Sequence, residues 1–466
     1  MASITFYGGA KQVTGSMYLL ELENNYKVLI DCGKDLENPG EEVFSFDPSE
    51  LDLVVLTHAH YDHCGNIPLL YKRGYQGQVL CSAPTIALTE LILKDSANIF
   101  DIKAQKKNTF GRSAFRQRKP ESNQEGGYSK GEVEKSLDRF ISISFNTPFA
   151  INDHLSVMLI PAGHLLGAAS AVFEIRESGT VKRIAFSGDL GRKNAPLLKD
   201  PVPLPQVDYL VCESTYGGRM HEGKDMPEAL LEKIIYECCV EKRGRLIVPA
   251  FSIGRTQTFL YLLNKLSKEG KLPKLKVFAD SPMARRSTKV YDDYLEQLND
   301  EAKAFHKANQ SLFDFDNLIQ IESGKESKAL ANFLEPCIII ASSGMITGGR
   351  IKSHVRSNLR NAYSTILFIG YCAEGTIGHK LINGVKSVRL NKKEIPVHAR
   401  IARTDIFSGH ADAEDLLSFV KHQSKSQLKK VFLVHGDQGN MEAFCKTLCN
   451  EGYPAELPEK GQTFSL

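Results

Sequence analysis

No run of 18 or more apolar residues occurs in the 466-residue chain, so no segment has the length to cross a bilayer as a helix. The stretch Met1 to Ala10 carries no basic region followed by an apolar one, and no secretory leader is expected. The ten cysteines include no C-x-x-C pair. A chain of this length does not depend on disulfide staples, so reduced thiols and a cytoplasmic setting are expected. Charge of one sign is also scarce: the formal net charge is +3, which permits an anionic substrate without arguing for one. With these classes set aside, what is left is ordinary globular composition, 42 % apolar and 24 % charged, in a chain long enough for two or three domains.

The first stretch reads as short strands: Ile4 to Tyr7, Met17 to Leu22, Tyr26 to Ile30 and the apolar run Leu51 to Thr57, rich in β-branched residues and divided by turn residues. Pro84 opens a helical pattern to about Phe100, in a first-turn position where proline is tolerated. Residues 103 to 131 are polar and include Gly126-Gly127, which suggests an irregular excursion. Strands return over Leu155 to Ile160, Ala171 to Ile175 and Arg183 to Ser187, and Pro201, Pro203 and Pro205 read as a linker. From Tyr209 to Ala341 strand and helix patterns alternate, as in a mainly parallel sheet. A final portion, Val397 to Val434, again mixes strands with a helix.

The segment Thr57-His58-Ala59-His60-Tyr61-Asp62-His63 packs three imidazoles and a carboxylate directly behind a buried strand. Imidazole nitrogen and carboxylate oxygen are the usual non-thiolate ligands of zinc. Side chains two apart on extended backbone point the same way, so His58 and His60 can grip one ion. Asp62 and His63, at the following turn, can reach a second.

This H-x-H-x-D-H pattern resembles the signature of the metallo-β-lactamase fold, and further motifs follow in that fold's order. Asp31, before Cys32-Gly33, stands where the family has a structural acid; His164 in Pro161-Ala162-Gly163-His164 matches the third motif, and Asp189 in Ser187-Gly188-Asp189 the fourth, whose carboxylate bridges two metals. A long α/β stretch then intervenes before a matching C-terminal end. That layout resembles the β-CASP branch of nucleases, in which a second domain is inserted. So do Glu213-Ser214-Thr215-Tyr216-Gly217, Pro249-Ala250-Phe251-Ser252-Ile253-Gly254-Arg255, Asp280-Ser281-Pro282-Met283-Ala284 and Gly370-Tyr371-Cys372-Ala373-Glu374-Gly375-Thr376. The resemblance is greatest to members related to the endonuclease of pre-mRNA 3′-end cleavage and polyadenylation.

The resemblance implies an α/β chain: a metallo-β-lactamase αββα sandwich from 1–206 and 392–466, with a β-CASP domain at 207–391. It implies two Zn²⁺, one held by His58, His60, His164 and Asp189, the other by Asp62, His63, His435 and the shared Asp189. Glu213 matches the branch's first motif and His410, in Ser408-Gly409-His410, its second, where Ser-Ala-His is commoner. His435 matches the third, which is histidine in RNA-cutting members and valine in DNA-cutting ones, so RNA is expected. The implied reaction uses a hydroxide activated between two metals, with catalytic roles for Asp62, Asp189, His410 and Glu213. His410 would donate the proton to the leaving oxygen, oriented by Glu213, while Asp31 would support a ligand histidine from behind.

RNA phosphates are expected at the turn of Ser342, Ser343, Gly344, Gly349 and Arg350, through backbone N–H groups. Lys103 to Lys119 holds seven basic residues with Phe110 and Phe115 and no acid, a pattern suited to single-stranded RNA. The chain ends soon after His435, which favours an endonuclease leaving 5′-phosphate and 3′-hydroxyl over a 5′–3′ exoribonuclease. A small-ester hydrolase on the same fold would leave Glu213 and His410 without purpose. A catalytically silent RNA-binding scaffold would have lost metal ligands, and all seven are present. The sequence leaves the oligomeric state open, a homo-oligomer included.

Overall fold

The computed structural model describes residues 1–38, 40–110, 127–221, 226–390 and 393–466. They form two compact units: 1–193 with 200–220 and 410–466, and 194–199 with 221–409.

The first unit holds two seven-stranded sheets. One runs, edge to edge, Thr463–Ser465, Ser3–Gly8, Met17–Glu21, Lys27–Ile30, Leu53–Val55, Gln78–Cys81 and Phe140–Ser142. The other runs Ala455–Glu456, Lys430–Val434, Tyr209–Glu213, Thr180–Phe186, Ala169–Glu177, Leu155–Pro161 and Phe149–Asn152. Alternation in Ser3–Gly8 sends Ile4 and Phe6 inward, where Phe6 meets Tyr18 of its own sheet and Phe432 of the other. Phe173, Phe186 and Val434 join the same core. Each such side chain contributes roughly 1.5–3 kcal/mol when fully buried. Leu53–Val55 is buried on both faces, as parallel strands within a covered sheet must be, and its neighbours on either side are parallel to it. The result is the αββα sandwich of the metallo-β-lactamase fold, and its strand ends carry the polar motifs.

The second unit has a six-stranded, wholly parallel sheet: Leu318–Gln320, Lys276–Asp280, Cys337–Ala341, Arg245–Pro249, Thr365–Phe368 and Arg400–Arg403. Ile247, Phe278, Ile339, Ile366 and Phe368 build its core with Val355 and Leu359.

Strand pairing sets the unit boundaries away from 206/207 and 391/392. Tyr209–Glu213 lies between Thr180–Phe186 and Lys430–Val434, which keeps the first unit running to Met220. Arg400–Arg403 pairs with Thr365–Phe368, which keeps the second running to Gly409. The helix opening near Pro84 is also longer than its expected end at Phe100. It spans Ala83–Phe110, because Asp101 to Phe110 contains no glycine or proline to stop it. The irregular excursion expected from 103 therefore begins as helix. The basic side chains from Lys103 onward, and residues 111–126 altogether, lie outside the described residues. Among the described residues no helix is long and apolar enough to cross a membrane.

Candidate metal centre

Every residue of the expected ligand set lies in the first unit, at or just beyond the ends of its strands. After Leu53–Val55 the chain stays extended through His60, whose ψ is 148°, so His58 and His60 share a face. The short helix Tyr61–Cys64 then turns Asp62 and His63 inward. Behind it the backbone of Gly33 lies so close that a Cβ there would stand 1.6 Å from the Asp62 carbonyl oxygen, and only glycine fits. Asp31 and His435 end strands in the left-handed region, with φ of 59° and 50°. That conformation is unfavourable for residues with a side chain and clusters at functional sites.

Two groups of ligand atoms result, each confined within 4.8 Å: His58, His60, His164 and Asp189, and Asp62, His63 and His435. His60 Nδ1 lies 3.1 Å from both His58 Nε2 and His164 Nε2. Asp189 Oδ2 lies 3.4 Å from His58 Nε2 and 3.5 Å from His164 Nε2. Its other oxygen, Oδ1, is 3.2 Å from His63 Nε2, and in the same group Asp62 Oδ2 is 3.5 Å from His435 Nε2. One carboxylate thus presents one oxygen to each group. Four ligands around a zinc-sized ion at ~2.0–2.1 Å would stand about 3.3 Å apart as a tetrahedron, close to the spacings of the first group.

The hydrogen bonds behind the ligands decide which nitrogens are bare. The Asp31 carboxylate accepts from the Thr57 amide and hydroxyl, both at 2.8 Å, and from His63 Nδ1 at 2.7 Å. That places the His63 proton on Nδ1. Because the Thr57 hydroxyl gives its proton to Asp31, its oxygen receives one from His58 Nδ1 at 3.1 Å. Thr215 acts similarly: its hydroxyl donates to the His435 carbonyl and accepts from His435 Nδ1, each at 3.0 Å. The Nε2 atoms of His58, His63 and His435 are left as lone pairs. His63 Nε2, His435 Nε2 and Asp189 Oδ1 are buried with no hydrogen-bond partner among the described residues. Such groups cost about 1–3 kcal/mol each when left unsatisfied. A cation satisfies all three together, so the residues fit a metal.

Electrostatics agree. Burial pushes the Asp189 carboxyl up, but His435, His63 and His58 together outweigh it and hold the group well below the usual range. Burial pushes His63 down, yet the Asp189 and Asp31 charges prevail and favour positive charge on it. A bound cation would supply that charge in place of a proton. In the first group burial dominates: His58 and His164 are pushed down, and His60 to about 3. All three keep lone pairs at neutral pH, as metal ligands must.

Beside this cluster His410 Nδ1 stands 3.2 Å from Glu213 Oε1. Glu213 is buried and held by two amides, Leu190 N to Oε1 at 2.7 Å and Thr215 N to Oε2 at 3.2 Å. His410 also belongs to a third close group, with Asp189 and His435. Thr57, Thr215 and the Leu190 amide were given no role from sequence. Each threonine adjoins or neighbours a motif residue, and a ligand histidine needs a partner for its other ring nitrogen. That need is the signal that could have found them.

The expected phosphate turn lies in the second unit. Ser343 Oγ accepts from the amides of Thr347 and Gly348 at 3.0 and 3.2 Å, and Ser342 Oγ lies 3.1 Å from Ser281 Oγ. Gly349, at φ 71°, leaves no room for a Cβ against the Ser342 carbonyl, and Gly344 faces the Phe251 ring. Arg350 directs Nη1 to Asp280 Oδ1 at 2.6 Å and Nη2 to the Glu322 carbonyl at 2.8 Å. Those donors serve the protein's own acceptors, and His354 holds the other Asp280 oxygen at 2.6 Å.

Asp31→Asn is expected to lower metal affinity about 10–100-fold, the usual effect of losing a partner behind a ligand. An amide offers one acceptor oxygen where three donors now converge. Competition against a chromophoric chelator measures this, and unchanged affinity would reduce Asp31 to a structural role.

A two-sheet sandwich with a histidine–aspartate cluster at its strand ends, and an α/β unit inserted in the chain, defines a metallo-hydrolase of the metallo-β-lactamase fold. Residues 10–227 match the metallo-β-lactamase superfamily, 256–381 the β-CASP domain, and 394–458 the Zn-dependent metallo-hydrolase RNA specificity domain. A ribonuclease of Thermus thermophilus is 31% identical over 460 residues, covering 98% of each chain. The transcription termination factor FttA of Methanocaldococcus jannaschii is 29% identical over 461 residues, covering 96% of this chain and 68% of that one. An RNase J-like protein of the same organism is 27% identical over 467 residues, covering 99% of each. The chain belongs to the β-CASP family of metal-dependent ribonucleases.

Proposed function

We propose that the protein is a zinc-dependent endoribonuclease that hydrolyses single-stranded RNA, leaving a 5′-phosphate and a 3′-hydroxyl. The observation that carries this reading is the Asp189 carboxylate, with one oxygen toward each of two groups of ligand atoms. His58, His60, His164 and Asp189 would hold one Zn²⁺, and Asp62, His63, His435 and Asp189 a second. Two such ions supply a water of lowered pKa and neutralise charge on the phosphate.

The chain's own groups do the rest. Asp31, Thr57 and Thr215 fix the histidine tautomers. Glu213, immobilised by two backbone amides, accepts from His410 Nδ1–H and orients the ring. His410 Nε2 then gives a proton to the departing 3′ oxygen, which otherwise leaves as a poor, strongly basic group. Ser342, Ser343, Gly344 and Gly349 would receive a phosphate through backbone N–H groups, with Arg350 acting through Asp280.

A single-stranded RNA and a DNA of identical sequence, incubated together with the enzyme, test the substrate. RNA should be cut at least about tenfold faster, a difference of ~1.4 kcal/mol in the barrier. Equal or faster cutting of DNA would overturn the RNA reading.

A further inference from the structure

Eight of the ten cysteines are buried, but Cys445 is half-buried and Cys449 is exposed. These two stand four residues apart in the helix Gln438–Asn450 of the first unit, so they share one face of it. Both thiols point to one acceptor: Cys445 Sγ lies 3.6 Å and Cys449 Sγ 3.9 Å from the Ala455 carbonyl oxygen. Ala455–Glu456 is the strand beside Lys430–Val434. Neither cysteine belongs to the histidine–aspartate cluster.

Two sulfurs converging on one oxygen have the spacing of ligands around a metal ion. A tetrahedral zinc-sized ion, at ~2.3 Å from sulfur and ~2.1 Å from oxygen, puts sulfur about 3.6 Å from oxygen and about 3.8 Å from a second sulfur. A disulfide fits less well. It needs Cβ atoms ~3.5–4.5 Å apart, whereas positions i and i+4 of a helix hold them at about 5–6 Å. The surroundings point the same way. Burial, then the Cys449 thiol and the Glu456 charge, push the Cys445 thiol up to about 11, so an isolated thiolate is disfavoured there. A bound cation reverses that balance and deprotonates a coordinating thiol outright.

We propose that Cys445 and Cys449, with the Ala455 carbonyl, form a surface site for a thiophilic divalent cation of the zinc and cadmium class, separate from the histidine–aspartate cluster. Binding exchanges two S–H bonds for two metal–sulfur bonds and releases both protons, with no oxidation. Soft thiolate donors select such ions over magnesium and calcium.

Cadmium is the probe, because cadmium–thiolate bonds absorb in the ultraviolet by charge transfer, and the histidine–aspartate cluster offers only nitrogen and oxygen. The reduced holoenzyme is titrated with cadmium ions beside Cys445→Ser, Cys449→Ser and the double variant, with circular dichroism to confirm the fold of each. Wild type should develop the charge-transfer band with one equivalent of cadmium, and a large excess of magnesium should leave the band unchanged. Each single variant should hold that cadmium at least about 100-fold more weakly, the usual loss when one of two linked binding groups is removed. Absence of the band in wild type, or an equal band in the folded double variant, overturns the proposal. Cadmium bound with wild-type affinity through either thiol alone overturns it as well.

Discussion

Replacing Asp189 by alanine should abolish tight metal binding at both positions and lower activity on the order of 10⁴-fold or more, as for loss of a member of a catalytic unit. Each Asp189 oxygen faces a different group of histidines, so no other side chain of the cluster can replace it on both sides. The carboxylate also opposes the repulsion among five closely spaced imidazoles, and it heads the interactions that hold His63 and His435 up against burial. Asp189→Asn keeps the shape and separates lost charge from lost volume. It should fold as wild type yet bind metal more weakly. Metal analysis by mass spectrometry together with circular dichroism reads both effects. Two tightly held ions in Asp189→Ala would disprove the bridge.

His410→Ala should behave in the opposite way with respect to metal. It should keep two ions and the fold while the chemical step slows by roughly 10²–10⁴, the usual contribution of a general acid. In the proposed arrangement the six other ligands and the shared Asp189 would already give each ion four protein donors, and His410 Nδ1 is engaged by Glu213. Glu213→Gln should cost less, because an amide oxygen can still accept from Nδ1–H. Glu213→Ala should also lower stability, since it strips the Leu190 and Thr215 amides of their acceptor. The grouping of His410 with Asp189 and His435 makes this comparison decisive. Loss of one ion in His410→Ala would make His410 a ligand and leave His435 as the candidate for the leaving-group side.

The candidate ligands that the structure brings together were legible in part because local rules suffice for four of the seven. His58 and His60 share a face on an extended segment, and Asp62 with His63 follows at the turn. His164, Asp189 and His435 stand alone in sequence and became legible only through motif order. The partners behind them were harder to see, because sheet pairing creates them. Thr215 reaches His435 only because Tyr209–Glu213 lies beside Lys430–Val434. The same pairing puts Glu213 in the first unit, which the proline-rich stretch near 203 did not reveal. Arg350 shows another pairing that only the fold creates: buried Asp280, seventy residues away in sequence, holds its guanidinium.

The most direct test of a metal-dependent RNA hydrolase is cleavage of a 5′-end-labelled single-stranded RNA by the purified chain. Labelled products should be shortened 5′-terminal fragments with 3′-hydroxyl ends, from cuts within the strand; cleavage should stop when a chelator removes the metal, and added zinc should restore it. Cleavage that persists undiminished after complete removal of metal, or zinc-replete protein that leaves the RNA intact, would contradict the account.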